Sequence, residues 1–223
     1  MPFGGHMAVI SKVSGVAWLL VGFALLSGNA AAAGPSYDDY VAQVKAGKIE
    51  IDYTAFRLAY AASPKYAPYG IIEILSKLKT AYAAGDCSSA MALASEVFEV
   101  NFVQMDAHMI AAFCLKKAGK EEEARREYAM FLGLVSSVLK SGDGMSPETA
   151  FVVIAVDEEY SLLAAVSLMP VKQARVNHDG SAFDRFEVKL PDSDQTTTLF
   201  FNVDRPQAQL ARTLRNTLPQ QKP

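Results

Sequence analysis

The sequence lacks the short motifs that mark the common catalytic centres. It contains no Cys-x-x-Cys, no His-Glu-x-x-His and no Gly-x-Ser-x-Gly, the patterns typical of zinc sites, zinc proteases and serine hydrolases. We therefore predict no metal ion and no cofactor. A binding role is favoured over an enzymatic one.

An apolar run long enough to cross a membrane is also missing from the N-terminal region. A bilayer-spanning helix needs about twenty apolar residues, whereas the run from Val13 to Leu26 has fourteen. It follows Lys12 and ends in small residues up to Ala33, as a secretory signal does. We predict a cleavable signal over residues 1–33, with either Met1 or Met7 as the start. The mature chain is then periplasmic or secreted and has no transmembrane segment.

Positive charge is scarce in the body of the predicted mature chain. Residues 34–223 contain 20 Lys and Arg against 24 Asp and Glu, a net charge of −4. Four of these cations and no acid lie from Arg205 onward, so residues 34–204 carry −8 and the tail +4. A body this acidic repels phosphate, which argues against nucleic acid as a partner. The basic tail, residues 205–223, is either a solvated end or a short helix docked on the acidic body, and contact with anionic lipid is a further alternative.

A repeat of 34 residues stands in the middle of the chain. Gly85 and Gly119 are 34 positions apart, and so are Ala90 and Ala124. In a tetratricopeptide repeat, a glycine ends the first helix and a small residue lets the second helix pack closely. The apolar residues between these positions recur at helical spacing. We predict two tetratricopeptide-like hairpins.

The flanking segments predict an α+β domain over residues 34–204. A helix from Asp52 to Ala62 precedes the hairpins, which complete a helical part over residues 34–141. Residues 142–204 read as β-α-β-β-β, a small antiparallel meander with one helix; its predicted strands are Ala150–Val156, Val171–Asn177, Ala182–Leu190 and Thr197–Val203. Asp106 and Asp157 are predicted to cap helices, the second of which would run to Leu168.

Cysteine is nearly absent, with Cys87 and Cys114 as its two occurrences. An exported protein can form a disulfide, and the two residues fall on successive antiparallel helices. A turn centred near Val103 would place Cys87 opposite a residue near 119, more than one helical turn from Cys114. A disulfide and two buried thiols both remain open.

Four side chains are candidates for acid-base chemistry. His108 is a candidate general base because histidine is the usual side chain for that role at neutral pH, although a histidine among apolar neighbours is commonly a packed, hydrogen-bonded residue. Asp143, Glu158 and Glu159 could join it to form a site for an enzyme or for a metal or anion. That hypothesis requires His108, Asp143 and either Glu158 or Glu159 to line one pocket. Consecutive acids on a helix, however, point in different directions.

Two further groups of residues are candidates for binding. The first is a glycine-rich loop formed by Ser141, Gly142, Asp143 and Gly144, which could hold a cation or cradle an anion or could simply end a helix and turn the chain. The second is an aromatic cluster around one cation; it comprises Arg57, Tyr60, Tyr66 and Tyr69. Tyrosine and arginine dominate interface hot spots, but the same cluster could pack the first helix against the repeat.

Several of these residues belong to a wider pattern. The landmarks are Tyr53-x-x-Phe-Arg57-x-x-Tyr60, Ser63-x-x-Tyr66-x-Pro-Tyr69, Asp106-Ala-His108, Ser141-Gly-Asp-Gly144 and Asp157-Glu-Glu-Tyr160. From about Tyr37 to Asp204 the chain resembles a family of uncharacterised bacterial exported proteins, a domain-of-unknown-function family. The resemblance implies a bacterial source and one domain but no activity. We expect a protein- or peptide-interaction module of the cell envelope.

Overall fold

Six helices precede the first strand in the computed structural model, which describes residues 34–217. The elements in chain order are α1 (Tyr37–Lys45), α2 (Tyr53–Ala62), α3 (Ile72–Ala83), α4 (Cys87–Val100), α5 (Met105–Lys117), α6 (Glu121–Leu139), β1 (Phe151–Val152), α7 (Asp157–Ala165), β2 (Met169–His178), β3 (Ser181–Lys189), β4 (Thr196–Asn202) and α8 (Asp204–Thr217). The α+β fold class is confirmed. The predicted signal over residues 1–33 lies outside the described residues, and no helix within residues 34–217 has the length and apolarity to cross a membrane.

The central helices form two antiparallel hairpins, α3–α4 and α5–α6. Gly85 and Gly119 end the first helix of each hairpin in the left-handed region, with φ of 73° and 74°, where glycine carries no steric penalty. The amide following each glycine closes the same 6→1 hydrogen bond, 3.0 Å in both hairpins. Ala90 and Ala124 are buried at equivalent positions in the second helices. The glycine-alanine register therefore sets how each pair of helices packs.

Helix α2 packs against α6, and α1 packs against α2. Asp52 caps α2 by accepting a hydrogen bond from the Ala55 amide at 2.9 Å, and Phe56 of this helix is buried. Helix α1 was not predicted. Its signal is a capping box, in which Ser36 and Asp39 satisfy each other's backbone amides. Together α1 and α2 place an aromatic cluster in the core.

The four strands form one mixed sheet in the order β1-β4-β3-β2. The β2–β3 hairpin turns at Asp179-Gly180, with φ of 48° and 82°, so the predicted hairpin turn is present. The predicted strand over 150–156 is wrong in extent, because β1 has only two residues. The prediction of a wholly antiparallel sheet is also wrong, because β1 pairs parallel to β4. The residues that follow β1 are apolar because they are buried. Their polar backbone atoms bond elsewhere, for example the Ile154 amide to Glu158 Oε2 at 2.8 Å.

The inner face of the sheet packs on α2, α6 and α7 in one core, while α3, α4 and α5 share a second. The edge strand β2 is largely exposed. Part of the basic tail forms α8, and its Gln209 donates a hydrogen bond to the Tyr66 carbonyl at 3.2 Å. Of the alternatives for the tail, the structure has the docked helix.

Candidate binding cleft

A cleft of 630 Å³ separates α3 from the first turn of α7. Its lining is mostly apolar, with a polar minority near one end; the residues are Pro68, Tyr69, Ile71, Ile72, Leu75, Ser76, Lys79, Thr80, Ala83, Val156, Asp157 and Tyr160. Ile72 is 61% exposed and Tyr160 is 42% exposed. A concave, apolar site with a few polar groups is the usual form of a ligand site.

The position of α7 depends on three consecutive acids that reach three different elements. Asp157 accepts a hydrogen bond from Gln104 at the start of α5. Glu158 pairs with Arg57 of α2, and the buried Glu159 is coupled to Asp184 of β3. Successive helical residues differ in direction by about 100°, so the three side chains diverge. One wall of the cleft is thereby joined to both helical layers and the sheet.

The Arg57–Glu158 pair is a buried ion pair. Arg57 Nε lies 3.1 Å from Glu158 Oε1, and both side chains are almost fully buried. The guanidinium also donates to Ser137 Oγ at 2.6 Å and to the Val152 carbonyl. Because a buried guanidinium must be satisfied on several sides, this one residue ties α2 to α6, β1 and α7.

Asp157 lies where the cleft meets α5. Its side chain is half-buried and lines the cleft. Burial is the main reason that its pKa is raised to about 7; the carboxylates of Glu158 and Asp106 act in the same direction, and Lys79 opposes them. The Lys79 ammonium is bonded to Asp106 Oδ2 at 2.6 Å. Two carboxylates thus stand near one ammonium.

Two corrections concern these capping acids. The N-cap of α5 is Gln104, whose Oε1 accepts from the Asp106 amide at 2.7 Å. Asp106 is therefore inside the helix and accepts from Ser161 Oγ at 2.7 Å. Asp157 is the first residue of α7 rather than its cap, and that helix ends at Ala165, before Leu168. Both acids bond to other elements instead of their own helix ends.

Glu159 is fully buried, and within the described chain both of its carboxyl oxygens lack a hydrogen-bond donor. Burial, together with the charge of Asp184, raises its pKa to about 9. Asp184 itself accepts from Arg175, directly opposite on β2, and from Gln173 at 3.1 Å. With its pKa raised in this way, Glu159 holds its proton at neutral pH, and the protonated carboxyl can donate a hydrogen bond to Asp184. In the neutral form one of the two oxygens becomes a donor, and the buried carboxyl carries no charge that would need a counter-ion.

The four acid-base candidates do not converge. His108 is buried and bonded to Glu127 Oε2 at 2.6 Å and to the Phe102 carbonyl at 2.7 Å, so it is a packed histidine. Asp143 accepts from Thr149 Oγ1 at 2.5 Å in an exposed loop. As described above, Glu158 bonds to α2 and Glu159 faces the sheet. The four side chains have four separate sets of partners, so the structure gives no support to a site built from all of them.

The Ser141–Gly144 loop connects α6 to the sheet, and its polar atoms are used internally. The amides of Asp143 and Gly144 both donate to the Thr149 carbonyl, at 3.0 and 2.8 Å, so they are not free to cradle an anion. Gly142 has no room for a Cβ, which would lie 2.2 Å from the same carbonyl oxygen. Ser141 Oγ accepts from the Val152 amide at 2.8 Å. Gly142 allows the backbone of this loop to pass close to the backbone of Thr149.

The aromatic candidates divide between the core and the cleft. Arg57, Tyr60 and Tyr66 are buried and hold α2 against its neighbours. Tyr69 is half-buried and lines the cleft. The sequence reasoning did not identify Lys79 or Tyr160 as site residues. Tyr160 lies three residues after Asp157, a spacing that places both side chains on one helical face.

Cys87 and Cys114 form a disulfide in the structure, with a Cα–Cα distance of 5.3 Å. The expected misalignment was wrong because residues 101–104, between α4 and α5, are not helical. Asn101 and Gln104 are extended, and an extended residue advances about twice as far as a helical one. The residue at the middle of this connection in the sequence therefore does not lie at the middle of the turn in space.

Comparison with known proteins gives one match. Residues 49–212 match the family model of a domain of unknown function, DUF4919. No curated protein matches the chain, and no solved structure does. Within residues 34–217, no group of three or more His, Cys, Asp or Glu side chains is arranged to hold a metal ion.

Proposed function

Because the chain belongs to the DUF4919 family, a domain of unknown function, we propose a role from its own geometry: it is an exported module that binds a peptide segment of another protein. The observation that carries the proposal is the cleft between α3 and α7. Its lips present Ile72 and Tyr160 to solvent, and exposed apolar side chains around a concavity favour a partner's apolar side chains.

The helical architecture supports the same choice. In stacked helical hairpins, the first helices line a groove that commonly receives a peptide. Here α7 packs against α5, while the face of α3 that includes Ser76 and Thr80 remains exposed and lines the cleft. One end of the groove is thus filled by the chain itself, and the cleft is the part left for a partner.

Two observations support export. The N-terminal sequence has the order of a signal peptide: Lys12, a short apolar run and small residues up to Ala33. The Cys87–Cys114 disulfide is typical of proteins in oxidising compartments.

Expression of the full chain in a bacterial host followed by mass spectrometry tests whether the protein is exported. We expect an extracytoplasmic product that begins at Gly34 and is lighter by two hydrogen atoms than the chain with two free thiols; a cytoplasmic product with its leader intact would refute export.

Peptide binding is tested by panning a randomised displayed peptide library against the mature chain. The blocking variant is Ser76→Trp, which places a large ring in the cleft from an exposed position of α3. The matched control is Ser95→Trp, an exposed serine-to-tryptophan change on α4, outside the cleft. Selected peptides should lose affinity at least about tenfold with the blocking variant and keep it with the control.

Either of two results would contradict the proposal. The library could yield no saturable binder, or the selected peptides could bind the blocking variant as well as they bind the natural chain. Circular dichroism of the three proteins verifies that both tryptophan variants are folded before the affinities are compared.

A further inference from the structure

The charged groups at the cleft are unbalanced. Asp106 and Asp157 are two carboxylates, and Lys79 is the cation near them. The Lys79 ammonium is 2.6 Å from Asp106, and among residues 34–217 no cationic nitrogen lies within 4.0 Å of the Asp157 carboxylate. The hydrogen-bond partner of Asp157 is the neutral amide of Gln104. A partly buried carboxylate without its own counter-ion attracts a cation.

Aromatic rings stand on the same cleft. Tyr69 and Tyr160 both contribute to its lining. The Tyr160 hydroxyl donates to Gln173 Oε1 at 2.5 Å, and its ring packs edge-on against Phe186 at 5.5 Å, so two contacts restrain it. Ring faces attract ammonium and guanidinium groups. The remaining wall, which includes Ile72 and Leu75, is apolar.

Building on the proposed function, we propose that the peptide bound in the cleft presents a lysine or arginine next to an apolar side chain. The cation pairs with Asp157 beside the two tyrosine rings, and the apolar side chain packs on α3. The Asp157 carboxylate favours a cationic side chain of the peptide, and the apolar wall favours an apolar side chain next to that cation. An acidic or purely apolar peptide would leave the Asp157 carboxylate without a counter-ion.

The cation preference should depend on pH. The groups that act on Asp157 are Glu158 and Glu159 on α7, Asp106 on α5, Lys79 on α3 and Tyr60 on α2. Burial and the neighbouring acids raise the pKa of Asp157 to about 7. The carboxylate is therefore fully ionised only above that pH, where it pairs with a cation. Below it, neutral Asp157 should not distinguish a charged peptide from an uncharged one.

The test uses two matched probes, acetyl-Leu-Arg-Leu-amide and the same peptide with citrulline in place of arginine, followed by NMR titration of the mature chain. At about pH 8 the arginine peptide should bind roughly tenfold tighter or more, the value expected for a hydrogen bond to a charged group. The preference should disappear at about pH 5.5 and in Asp157→Asn, whose amide oxygen can still accept from Gln104. Glu96→Gln, an exposed acid-to-amide change on α4, should keep it.

The outcomes separate this inference from the proposed function. If both probes bind equally well, and neither binds Ser76→Trp, the cation preference is refuted and peptide binding in the cleft is supported. Failure of both probes would also refute the preference, and the panning experiment then decides peptide binding independently. An arginine preference that survives Asp157→Asn would refute the role of that carboxylate.

Discussion

We expect the free energy of unfolding to fall as pH rises, because Glu159 is buried and protonated in the folded chain. Its pKa is 4.5 in an ordinary exposed setting and about 9 in the folded chain. Between these values the folded state holds a proton that the unfolded state has released. Each pH unit should therefore remove about 1.4 kcal/mol from the free energy of unfolding, or about 3 kcal/mol from about pH 6 to about pH 8.

Asp157 adds to this trend at the acidic end of the range. Its pKa rises from 3.8 to about 7, so its contribution is also present at low pH and is lost as pH rises through about 7. Several exposed acids have lowered pKa values, Asp86 and Glu122 among them. They lose their protons below about pH 4.5 in both states, so they do not oppose the slope at neutral pH.

The perturbation is Glu159→Gln, which keeps the side-chain volume and supplies an N–H donor for Asp184 in place of the carboxyl proton. Urea unfolding at a series of pH values, followed by circular dichroism, measures the free energy of unfolding at each pH. We expect the variant to lose most of the slope between about pH 6 and pH 8. Glu73→Gln removes an exposed acid of α3 with a lowered pKa and should retain the slope.

If the free energy of unfolding of the natural chain instead stays constant or rises between these pH values, the proposed proton on buried Glu159 is refuted. If Glu159→Gln shows the same slope as the natural chain, the slope arises from other groups. An m-value that differs between variant and natural chain would show a change in the states being compared, and guanidinium unfolding of both proteins would then replace the urea series.

Three further predictions concern the stability of the fold. Replacing Cys87 and Cys114 together by alanine should cost about 3 to 4 kcal/mol, because the disulfide closes a loop across 27 positions; equal urea midpoints for oxidised and variant protein would contradict it. Arg57→Ala should cost about 3 to 5 kcal/mol by leaving a buried carboxylate without its cation, and Arg57→Lys, which keeps the charge but loses the fork of donors, should recover part of that loss in the same unfolding assay. Gly142→Ala should lower the melting temperature by several degrees, since its Cβ would lie 2.2 Å from a backbone carbonyl oxygen; an unchanged melting temperature would show that the loop can move aside.

Local signals in the chain were sufficient for the helices and hairpins. Gly85 and Gly119 end helices because glycine alone adopts a positive φ without steric cost. The Asp179-Gly180 turn follows from the same property. Helix α1 could have been found from Ser36 and its capping partner. Each of these features depends on residues within one turn of one another, so the sequence contains all the necessary information.

Patterns of apolar residues were less decisive. The segment after Phe151 is apolar because it is buried, and burial does not distinguish a strand from an irregular segment whose backbone atoms bond to side chains. The Ser141–Gly144 loop illustrates the same limit. Its glycines resemble a binding loop in sequence, and only the position of the Thr149 carbonyl reveals that they permit a close chain crossing.

By itself, the sequence determined the α+β class, the repeat register, the hairpin turn and the family resemblance. Only the tertiary structure decided which charged groups meet. Asp157, Glu158 and Glu159 are adjacent in the chain, yet they reach α5, α2 and β3. Those partners are set by packing between elements far apart in sequence, because helical geometry fixes the directions in which side chains leave a helix and not what lies there. The cleft arises for the same reason, from the space that α7 leaves beside α3.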